Sequence, residues 1–420
     1  MRVEIITIGD ELLNGQVVDT NSAWIARELA PLHFHIVQIT SIADTSEAIL
    51  DALAAAALRA DLVLVTGGLG PTNDDLTKQT IARYFDAQLI RSPEVLAHVE
   101  QLFSKYGYAE MPLINQQQAD VLDCSEILFN DVGTAPGMWV ESAGCTYAFL
   151  PGVPFEMKFL IQNRVVPRLA KFAAKEVIHN AYILSVGLGE SHLARKIADI
   201  EAAMPSHIKI AYLPSLGVLR LRITAKGQDK QKLSAEAAHF VKQIVERLAE
   251  LVVAQDERSF EEVIVGEFSR LGLSLSTAES CTGGYLSSVF TAVSGASQMF
   301  MGGAVVYSNA SKMQLLAVQE KTLIAFGAVS EQTVLEMAEG AKRTFNTDYA
   351  IATSGIAGPT EGTLDKPVGT ICVAIVGKQE SFVKTYHFTN DRQLNIQRTT
   401  AVALQELWSL YKKEHSKCPI

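Results

Sequence analysis

Cysteine is scarce in this chain of 420 residues, and the few that occur form no recognisable pattern. They are Cys124, Cys145, Cys281, Cys372 and Cys418, an odd number with no CxxC pair. Such a set disfavours a disulfide framework and a zinc site, and it fits a reducing cytosol. We therefore expect a cytoplasmic protein in which any metal is bound by oxygen atoms.

Positive charge and long apolar runs are also lacking. The formal net charge is −10 and the isoelectric point is about 5.5. Because nucleic-acid affinity depends on phosphate neutralisation by lysine and arginine, this balance argues against a protein that coats nucleic acid. No uncharged apolar run approaches the roughly 20 residues that a bilayer span requires, and the acidic first residues lack the basic region of a secretory signal. We expect a soluble protein that binds neither membrane nor nucleic acid.

The chain does contain enough apolar material for several hydrophobic cores. Hydrophobic residues make up 48% of it and charged residues 20%, which excludes global disorder. At roughly 100 to 200 residues per domain, the length predicts two to four domains. Changes in the sequence pattern place three domains at 1–172, 173–253 and 254–420.

The first segment alternates short β-branched runs with helical patterns. Strands are predicted at 3–9, 34–40 and 62–66, with helices at 18–30 and 45–58. Right-handed crossovers then produce a parallel sheet, and the loops at the carboxyl ends of its strands form the natural ligand crevice. The segment is therefore predicted to be an α/β domain with a site at that edge.

The middle segment has the pattern of a small α+β module. Residues 218–224 alternate apolar side chains with arginine, as in a half-buried strand, and 233–251 form an amphipathic helix. The last segment returns to an α/β pattern. Its strands are predicted at 273–278, 304–308, 349–353 and 370–376, and its terminal helix at 392–411.

Acidic and glycine-rich motifs follow two strands of the first segment, GDELLNGQVVDTN at 9–21 and GGLGPTNDD at 67–75. The glycines of the second motif let the backbone approach a phosphate closely, and the helix that follows offers unpaired N–H groups to an anion. The crowded carboxylates favour a divalent cation. The alternative is a helix cap beside an ordinary turn. The glycines are Gly67, Gly68 and Gly70, and the carboxylates are Asp10, Glu11, Asp74 and Asp75.

A second set of motifs lies in the last segment, with TAESCTGG at 277–284 and YSNASK at 307–312. Ser280 comes after a predicted strand and before a Gly-Gly turn, where a hydroxyl can lie beside N–H groups that stabilise an oxyanion. A lysine desolvated in a pocket can act as a base near neutral pH, as in Ser-Lys variants of the catalytic triad. Ser280, Lys312 and Tyr307 are therefore the candidate nucleophile, base and proton relay.

Plainer interpretations of these residues stay open at this point. Ser280 could cap a helix, and Lys312 could be a solvated surface charge. Cys281 is the stronger nucleophile in chemical terms, but it has no evident activating histidine, and a free cysteine is usually a small buried hydrophobe.

The N-terminal motifs, together with PGVPFEMKFL at 151–160, resemble the N-terminal domain of the competence/damage-inducible protein A (CinA) family, itself similar to the molybdopterin-binding folds of molybdenum cofactor biosynthesis. The resemblance implies a three-layer domain that splits ADP-ribose into AMP and ribose 5-phosphate with a divalent metal, Mg, Mn or Co. Asp75 and Asp44 take catalytic positions. Asp10, Glu11, Asp74 and Asp75 would hold the metal, and Asn21, Gly67, Gly68 and Gly70 would contact the substrate.

The C-terminal motifs, with GAVS, SGIAGP and KPVGT after them, resemble the C-terminal domain of the same family, which is similar to stand-alone nicotinamide mononucleotide amidohydrolases. The resemblance implies an α/β amidohydrolase domain that converts nicotinamide mononucleotide to nicotinate mononucleotide and ammonia without a cofactor. It assigns Ser280 as nucleophile, Lys312 as base and Tyr307 as proton relay. Arginine suits a phosphate clamp because its fork binds phosphate bidentately. The implied substrate contacts are Thr282, Gly283, Gly284, Ser354, Gly355 and Arg392.

The middle segment resembles the KH-like domain of the family. It lacks a correctly spaced GXXG loop, since Gly187-Leu188-Gly189-Glu190 places a carboxylate at the contact point. We expect a spacer and dimerisation module rather than an RNA-binding one. The whole chain is then predicted to be a homodimeric, bifunctional pyridine nucleotide recycling enzyme. A molybdopterin-binding protein and a competence or recombination partner with a vestigial N-terminal site are the alternatives.

Overall fold

The computed structural model describes residues 1–32, 34–71, 76–106, 110–172, 177–360 and 362–416. The chain divides into two compact units, Met1–Val177 and Ile178–Ile420. The boundary predicted between the middle and last segments falls inside the second unit, and the two predicted domain boundaries stay predictions. Within the described part of the chain, no helix combines the length and the apolar character that a membrane crossing needs.

The first unit is built on a mixed sheet. Its strands are β1 (Arg2–Ile8), β2 (His35–Ile42), β3 (Leu62–Thr66), β4 (Leu89–Arg91), β5 (Asp120–Leu122), β6 (Glu126–Leu128), β7 (Gly137–Ser142) and β8 (Cys145–Leu150). Six strands pair in the order β2-β1-β3-β8-β7-β6, and β4 pairs with β5 separately. The first four strands of the large sheet run parallel, and β7 is antiparallel to both of its neighbours.

Helices cover both faces of this sheet. They are α1 (Asp10–Leu13), α2 (Thr20–Leu29), α3 (Ser46–Arg59), α4 (Thr77–Tyr84), α5 (Pro93–Lys105), α6 (Pro154–Leu160) and α7 (Val166–Leu169), with a π-helical turn at Ile161–Val165 between the last two. Along β1, Ile6 packs with α3 and α4 on one face, whereas Ile5 packs with α2 and α6 on the other. Successive side chains of a strand point to opposite faces, so β1, covered on both sides, is buried from Val3 to Ile8. The three-layer α/β architecture is confirmed.

The second unit contains two sheets. Its strands are β9 (Val177–Val186), β10 (Ile208–Ser215), β11 (Val218–Gly227), β12 (Val252–Ala254), β13 (Leu275–Glu279), β14 (Phe300–Val305), β15 (Tyr349–Gly355), β16 (Thr370–Val376) and β17 (Ser381–His387). Its helices are α8 (Glu190–Ala202), α9 (Lys230–Leu248), α10 (Phe260–Leu271), α11 (Tyr285–Thr291), α12 (Asn309–Leu316), α13 (Glu320–Phe326), α14 (Glu331–Phe345) and α15 (Arg392–Ser416).

The smaller sheet has the order β10-β11-β9-β12 and forms the α+β module. On β11, Leu219, Leu221 and Ile223 are buried, as the alternating pattern predicts. The module shares a hydrophobic core with the rest of the unit, because Leu184 of β9 belongs to the same apolar cluster as Trp408 of α15. The middle and last segments are therefore packed as one body.

The larger sheet of the second unit has the order β14-β13-β15-β16-β17. Strands β14, β13 and β15 are parallel, and the last two pairings are antiparallel. The strand predicted at 304–308 is wrong in its position, since β14 spans Phe300–Val305 and so begins and ends earlier than predicted. Ser308 instead caps α12, where its hydroxyl accepts the Ser311 N–H at 3.1 Å.

Candidate active site

The carboxyl ends of four strands of the first unit meet at one edge of the sheet. After β1 the Gly9 N–H donates to the Ile42 carbonyl at 3.1 Å, and after β3 the Gly67 N–H donates to the Leu150 carbonyl at 3.1 Å. Gly67 has φ +118°, and a Cβ there would lie 2.3 Å from the Ile8 carbonyl oxygen. Glycine is therefore required at this position, and its backbone lies at the crevice that the topology predicts.

Several predicted site residues of this unit lie together at that edge. The Asp10 carboxylate accepts the Asp44 N–H at 3.3 Å, and a Cβ on Gly68 would lie 3.5 Å from an Asp44 carboxylate oxygen. Asn21 donates its side-chain N–H to the Gly152 carbonyl at 2.8 Å. With Glu11 it lines a cavity of about 150 Å³.

The predicted metal ligands Asp74 and Asp75 lie outside the described residues. In the parts of the chain that are described, no group of three or more histidine, cysteine, aspartate or glutamate side chains is arranged to hold a metal ion. The metal set, and the substrate role of Gly70 beside it, stay predictions.

In the second unit, the structure brings Ser280 and Lys312 into direct contact. Ser280 directly follows β13, and its N–H donates to the Thr353 carbonyl of β15 at 2.9 Å. Lys312 comes from α12, and its Nζ lies 3.1 Å from the Ser280 Oγ. The same Nζ donates to the carbonyls of Val306 and Tyr307 at 2.8 and 3.3 Å.

The lysine side chain is buried, with 1% of its surface exposed. Burial lowers the pKa of the Lys312 ammonium below its usual value, because the charged form loses its hydration, and the neighbouring Cys281 acts weakly in the opposite direction. None of the hydrogen bonds of its Nζ within the described chain goes to a carboxylate. A lysine in this environment can be neutral and can act as a base.

These contacts contradict the two plain alternatives. Helix α11 begins at Tyr285 and its N-cap is Gly284, and the N–H groups at its start donate to the Glu279 carboxyl group, so Ser280 is not the cap of this helix. Lys312 is not a solvated charge. Gly283 and Gly284 have φ values of +60° and +101°, a region that side chains other than glycine's rarely adopt. The Gly-Gly pair is thus needed for the sharp turn that follows the serine.

The Cys281 thiol is poorly suited to be the nucleophile. Its side chain is buried, and burial raises the pKa of the thiol to about 12. Since the thiolate is the reactive form of cysteine, this side chain is inert near neutral pH. The next side chain, Thr282, is also buried and shares a hydrogen bond of 2.7 Å with the Thr353 hydroxyl.

Tyr307 and Arg392 meet beside the Ser-Lys pair. Arg392 begins α15 and donates to the Tyr307 hydroxyl at 3.0 Å and to the Gly358 carbonyl at 2.9 Å. Tyr307 is 63% exposed, so the pair lies at the surface, while the Tyr307 carbonyl binds the buried Lys312. Asn395, fully buried one helical turn after Arg392, holds the adjoining loops by donating to the carbonyls of Ala357 and Thr389.

Ser354 is placed at the end of β15, but its hydroxyl already has a partner. It is 1% exposed and donates to the Ala328 carbonyl at 2.7 Å. Lys366 of the KPVGT motif donates to the carbonyls of Phe326 and Val329 at 2.6 and 2.7 Å. Both side chains therefore hold the GAVS loop, and direct substrate contact by Ser354 and the adjacent Gly355 stays a prediction.

One residue of this site was missed by the sequence reasoning. Glu279, the last residue of β13, has no exposed surface. Its carboxyl group accepts the N–H groups of Gly284, Leu286 and Ser287 at 2.8 to 3.1 Å, and the Ser287 hydroxyl. An acidic residue between an apolar strand and a Gly-Gly turn is the signal that could have indicated it.

The fold and these contacts define a class of protein: a three-layer α/β domain joined to a second unit in which an α+β module packs with a Ser-Lys α/β domain. Models of protein families match each part. The "Probable molybdopterin binding domain" matches residues 4–171, the "Damage-inducible protein CinA KH domain" 182–254, and the "CinA C-terminal domain" 257–411.

Relatives extend over the whole chain. It is 40% identical over 419 residues to a CinA-like protein of Flavobacterium psychrophilum, covering 99% of this chain and 100% of that one. It is 41% identical over 412 residues to a CinA-like protein of Cytophaga hutchinsonii, covering 98% of each. The chain therefore belongs to the CinA family. It is also similar to the crystal structure of competence/damage inducible protein CihA of Agrobacterium tumefaciens, with 35% identity, a TM-score of 0.36, and coverage of 38% of this chain and 99% of that one.

Proposed function

We propose that the second unit hydrolyses the carboxamide of nicotinamide mononucleotide to nicotinate mononucleotide and ammonia. The observation that carries the proposal is the buried contact of 3.1 Å between the Ser280 Oγ and the Lys312 Nζ. It supplies a nucleophile and a base without a cofactor.

The three contacts of Lys312 suit both of its protonation states. As a neutral amine it donates two N–H groups to the carbonyls of Val306 and Tyr307 and accepts the Ser280 hydroxyl proton on its lone pair. As an ammonium it donates to the same three oxygens. The proton can therefore pass from Ser280 to Lys312 without rearrangement of the site.

The reaction follows from this pair. The Ser280 oxygen attacks the amide carbon while Lys312 takes its proton, and a tetrahedral intermediate forms. Lys312 returns the proton to the amide nitrogen, the C–N bond breaks, and ammonia leaves an acyl-serine that water then hydrolyses. The backbone N–H groups of Cys281 and Thr282 follow the nucleophile directly in the turn, and we assign them to the developing oxyanion.

Arg392 and Tyr307 supply the substrate's other contact. The guanidinium is anchored by the Gly358 carbonyl and the Tyr307 hydroxyl, which leaves further N–H groups for a phosphate. A planar arginine fork matches phosphate geometry. We assign this pair to the 5′-phosphate of the mononucleotide.

The direct test is ammonia release from nicotinamide mononucleotide by the purified protein, with and without EDTA. We expect release that EDTA does not reduce and that a folded Ser280→Ala variant lacks. If the wild-type protein releases no ammonia, the assignment is wrong.

For the first unit we propose metal-dependent hydrolysis of ADP-ribose to AMP and ribose 5-phosphate. It is supported by Gly67 at the crevice and by the adjacent Asp10 and Asp44. The described residues bring too few carboxylates together to hold a metal by themselves, so no step is assigned to the metal. AMP release that requires Mg²⁺, Mn²⁺ or Co²⁺ would support the proposal, whereas binding of a pterin without cleavage would favour the molybdopterin alternative.

We also propose that the protein is a cytoplasmic homodimer that acts on these small nucleotides rather than on nucleic acid. Light scattering of the purified chain tests the dimer. Absence of both hydrolytic activities in a folded protein would favour the competence or recombination partner.

A further inference from the structure

The turn that carries Ser280 is rich in glycine. It spans residues 280–284, and its two glycines, Gly283 and Gly284, leave the backbone few steric restraints. Within the described chain, two backbone hydrogen bonds hold Ser280 itself: its N–H to Thr353, and its carbonyl to the Gly283 N–H at 3.2 Å. Within the turn the Thr282 hydroxyl also bonds the Thr353 hydroxyl at 2.7 Å, and the distance from Ser280 to Lys312 depends further on what fixes the far end of the turn.

Glu279 fixes that end. The N-cap residue of α11 is Gly284, which has no side chain that could cap the helix. The N–H groups at the helix start therefore need acceptors from another residue. The Glu279 carboxyl group, which comes from the strand before the turn, accepts three of them, from Gly284, Leu286 and Ser287. It thereby joins the end of β13 to the start of α11 across the turn.

Glu279 is also connected to Lys312, through hydrogen bonds of Val306. The Glu279 backbone carbonyl accepts the Val306 N–H at 2.8 Å, and the Val306 carbonyl accepts the Lys312 Nζ. One residue thus contacts both the helix start that closes the serine turn and the segment that binds the base.

We propose that Glu279 is a positioning residue: its carboxyl group fixes the turn 280–284 and so holds the Ser280 hydroxyl against Lys312. The inference rests on the proposed serine mechanism. A displacement of about 1 Å in a reacting group can lower a rate about 10²-fold, so a loosened turn reduces the chemical step more than substrate binding at Arg392.

The test compares Glu279→Gln with Glu262→Gln, a matched control. Glu262 also accepts an N–H at a helix start, that of Ser259 at 2.6 Å, but it belongs to α10. Glutamine retains one acceptor oxygen, so Glu279→Gln should fold, as measured by thermal unfolding. We expect its kcat for ammonia release to fall at least about tenfold with KM changed less than about twofold, and Glu279→Ala to lose more. Glu262→Gln should keep the wild-type kcat.

A second readout separates this inference from the choice of substrate. Labelling of Ser280 by a fluorophosphonate, followed by mass spectrometry, measures the reactivity of the serine whatever its natural substrate is, and it should slow in Glu279→Gln. If the wild type is labelled but releases no ammonia, the proposed substrate is wrong while the labelling rates still test Glu279. Wild-type kcat and labelling in a folded Glu279→Gln would overturn the inference, and a wild type that neither reacts nor hydrolyses would overturn both.

Discussion

Replacing Lys312 by methionine tests the central feature of the proposed mechanism. Lys312→Met removes the Nζ atom that contacts Ser280 at 3.1 Å and keeps an unbranched side chain in the buried site. A positioned general base contributes about 10²- to 10⁴-fold to a rate. Because each factor of ten corresponds to about 1.36 kcal/mol, we expect the barrier to rise by about 3 to 5 kcal/mol.

The fold should survive this change. The carbonyls of Val306 and Tyr307 lose a donor, which costs about 1 to 3 kcal/mol for each buried group left without a partner. Removing the buried ammonium stabilises the fold, because each unit by which burial lowers the pKa of Lys312 corresponds to about 1.36 kcal/mol of free energy.

The sign of the pH dependence follows from the lowered pKa. Between the folded-state pKa of Lys312 and its unfolded value of about 10.4, the unfolded chain binds more protons, so this group makes the wild type more stable as the pH rises. The free energy of unfolding of Lys312→Met, compared with that of the wild type, should therefore be highest at low pH. Wild-type kcat/KM should rise with pH and level off below pH 10.4 as Lys312 becomes neutral.

The assay is ammonia release at several substrate concentrations between about pH 6 and pH 10.5, with urea unfolding on the same samples. Lys312→Arg keeps the positive charge but cannot lose its proton, so it should be as inactive as Lys312→Met. Lys342→Met removes another lysine that donates to a backbone carbonyl, Gly377, and should be fully active. Substantial activity in folded Lys312→Arg would refute the role as a base.

Three further predictions concern other parts of the molecule. Cys281→Ala should retain ammonia release, and mass spectrometry should locate the acyl group on Ser280, because burial raises the pKa of the thiol to about 12; an acylated cysteine would contradict this. Arg392→Ala should raise KM at least about tenfold, the value of a lost charge-assisted hydrogen bond, with a smaller change in kcat, and an unchanged KM in steady-state assays would count against the phosphate contact. Gly67→Ala should lower the free energy of unfolding of the first unit by about 3 kcal/mol or more through backbone strain and overpacking. Gly15 also has a positive φ but has open space around it, so Gly15→Ala should lower that free energy less. Equal unfolding midpoints for the two variants would show that the clash at Gly67 is relieved.

Local pattern was sufficient for most elements. Strands predicted at 62–66 and 370–376 are Leu62–Thr66 and Thr370–Val376 in the structure. A short run of apolar residues between turn signals is typical of a buried strand. The prediction at 304–308 failed where the pattern is weak. The sequence of β14 contains Gly302 and Gly303, which have low strand propensity, and the strand is held instead by pairing with β13.

Charge was the least predictable property. Glu4 is one of the acidic residues near the start of the sequence, yet its side chain has no exposed surface and pairs with Arg59 through two contacts of 2.7 Å. The carboxylate and its partner are 55 residues apart. Glu4 lies on β1 and Arg59 ends α3, the helix between β2 and β3, so the two meet only once the sheet has formed and no local pattern indicates that this charge is buried.

The amino-acid sequence alone determined the family, the three kinds of domain, and the candidate roles of Ser280 and Lys312, because motifs and hydrophobic periodicity are local. Tertiary structure decided that these two side chains touch, since the parallel neighbours β13 and β14 and the start of α12 must first be assembled. It also decided that Lys312 is buried among backbone carbonyls, that the Ser354 hydroxyl is bound to a loop, and that Glu279 closes the serine turn. Burial and hydrogen-bond partners depend on residues distant along the chain, and they set the chemistry of the site.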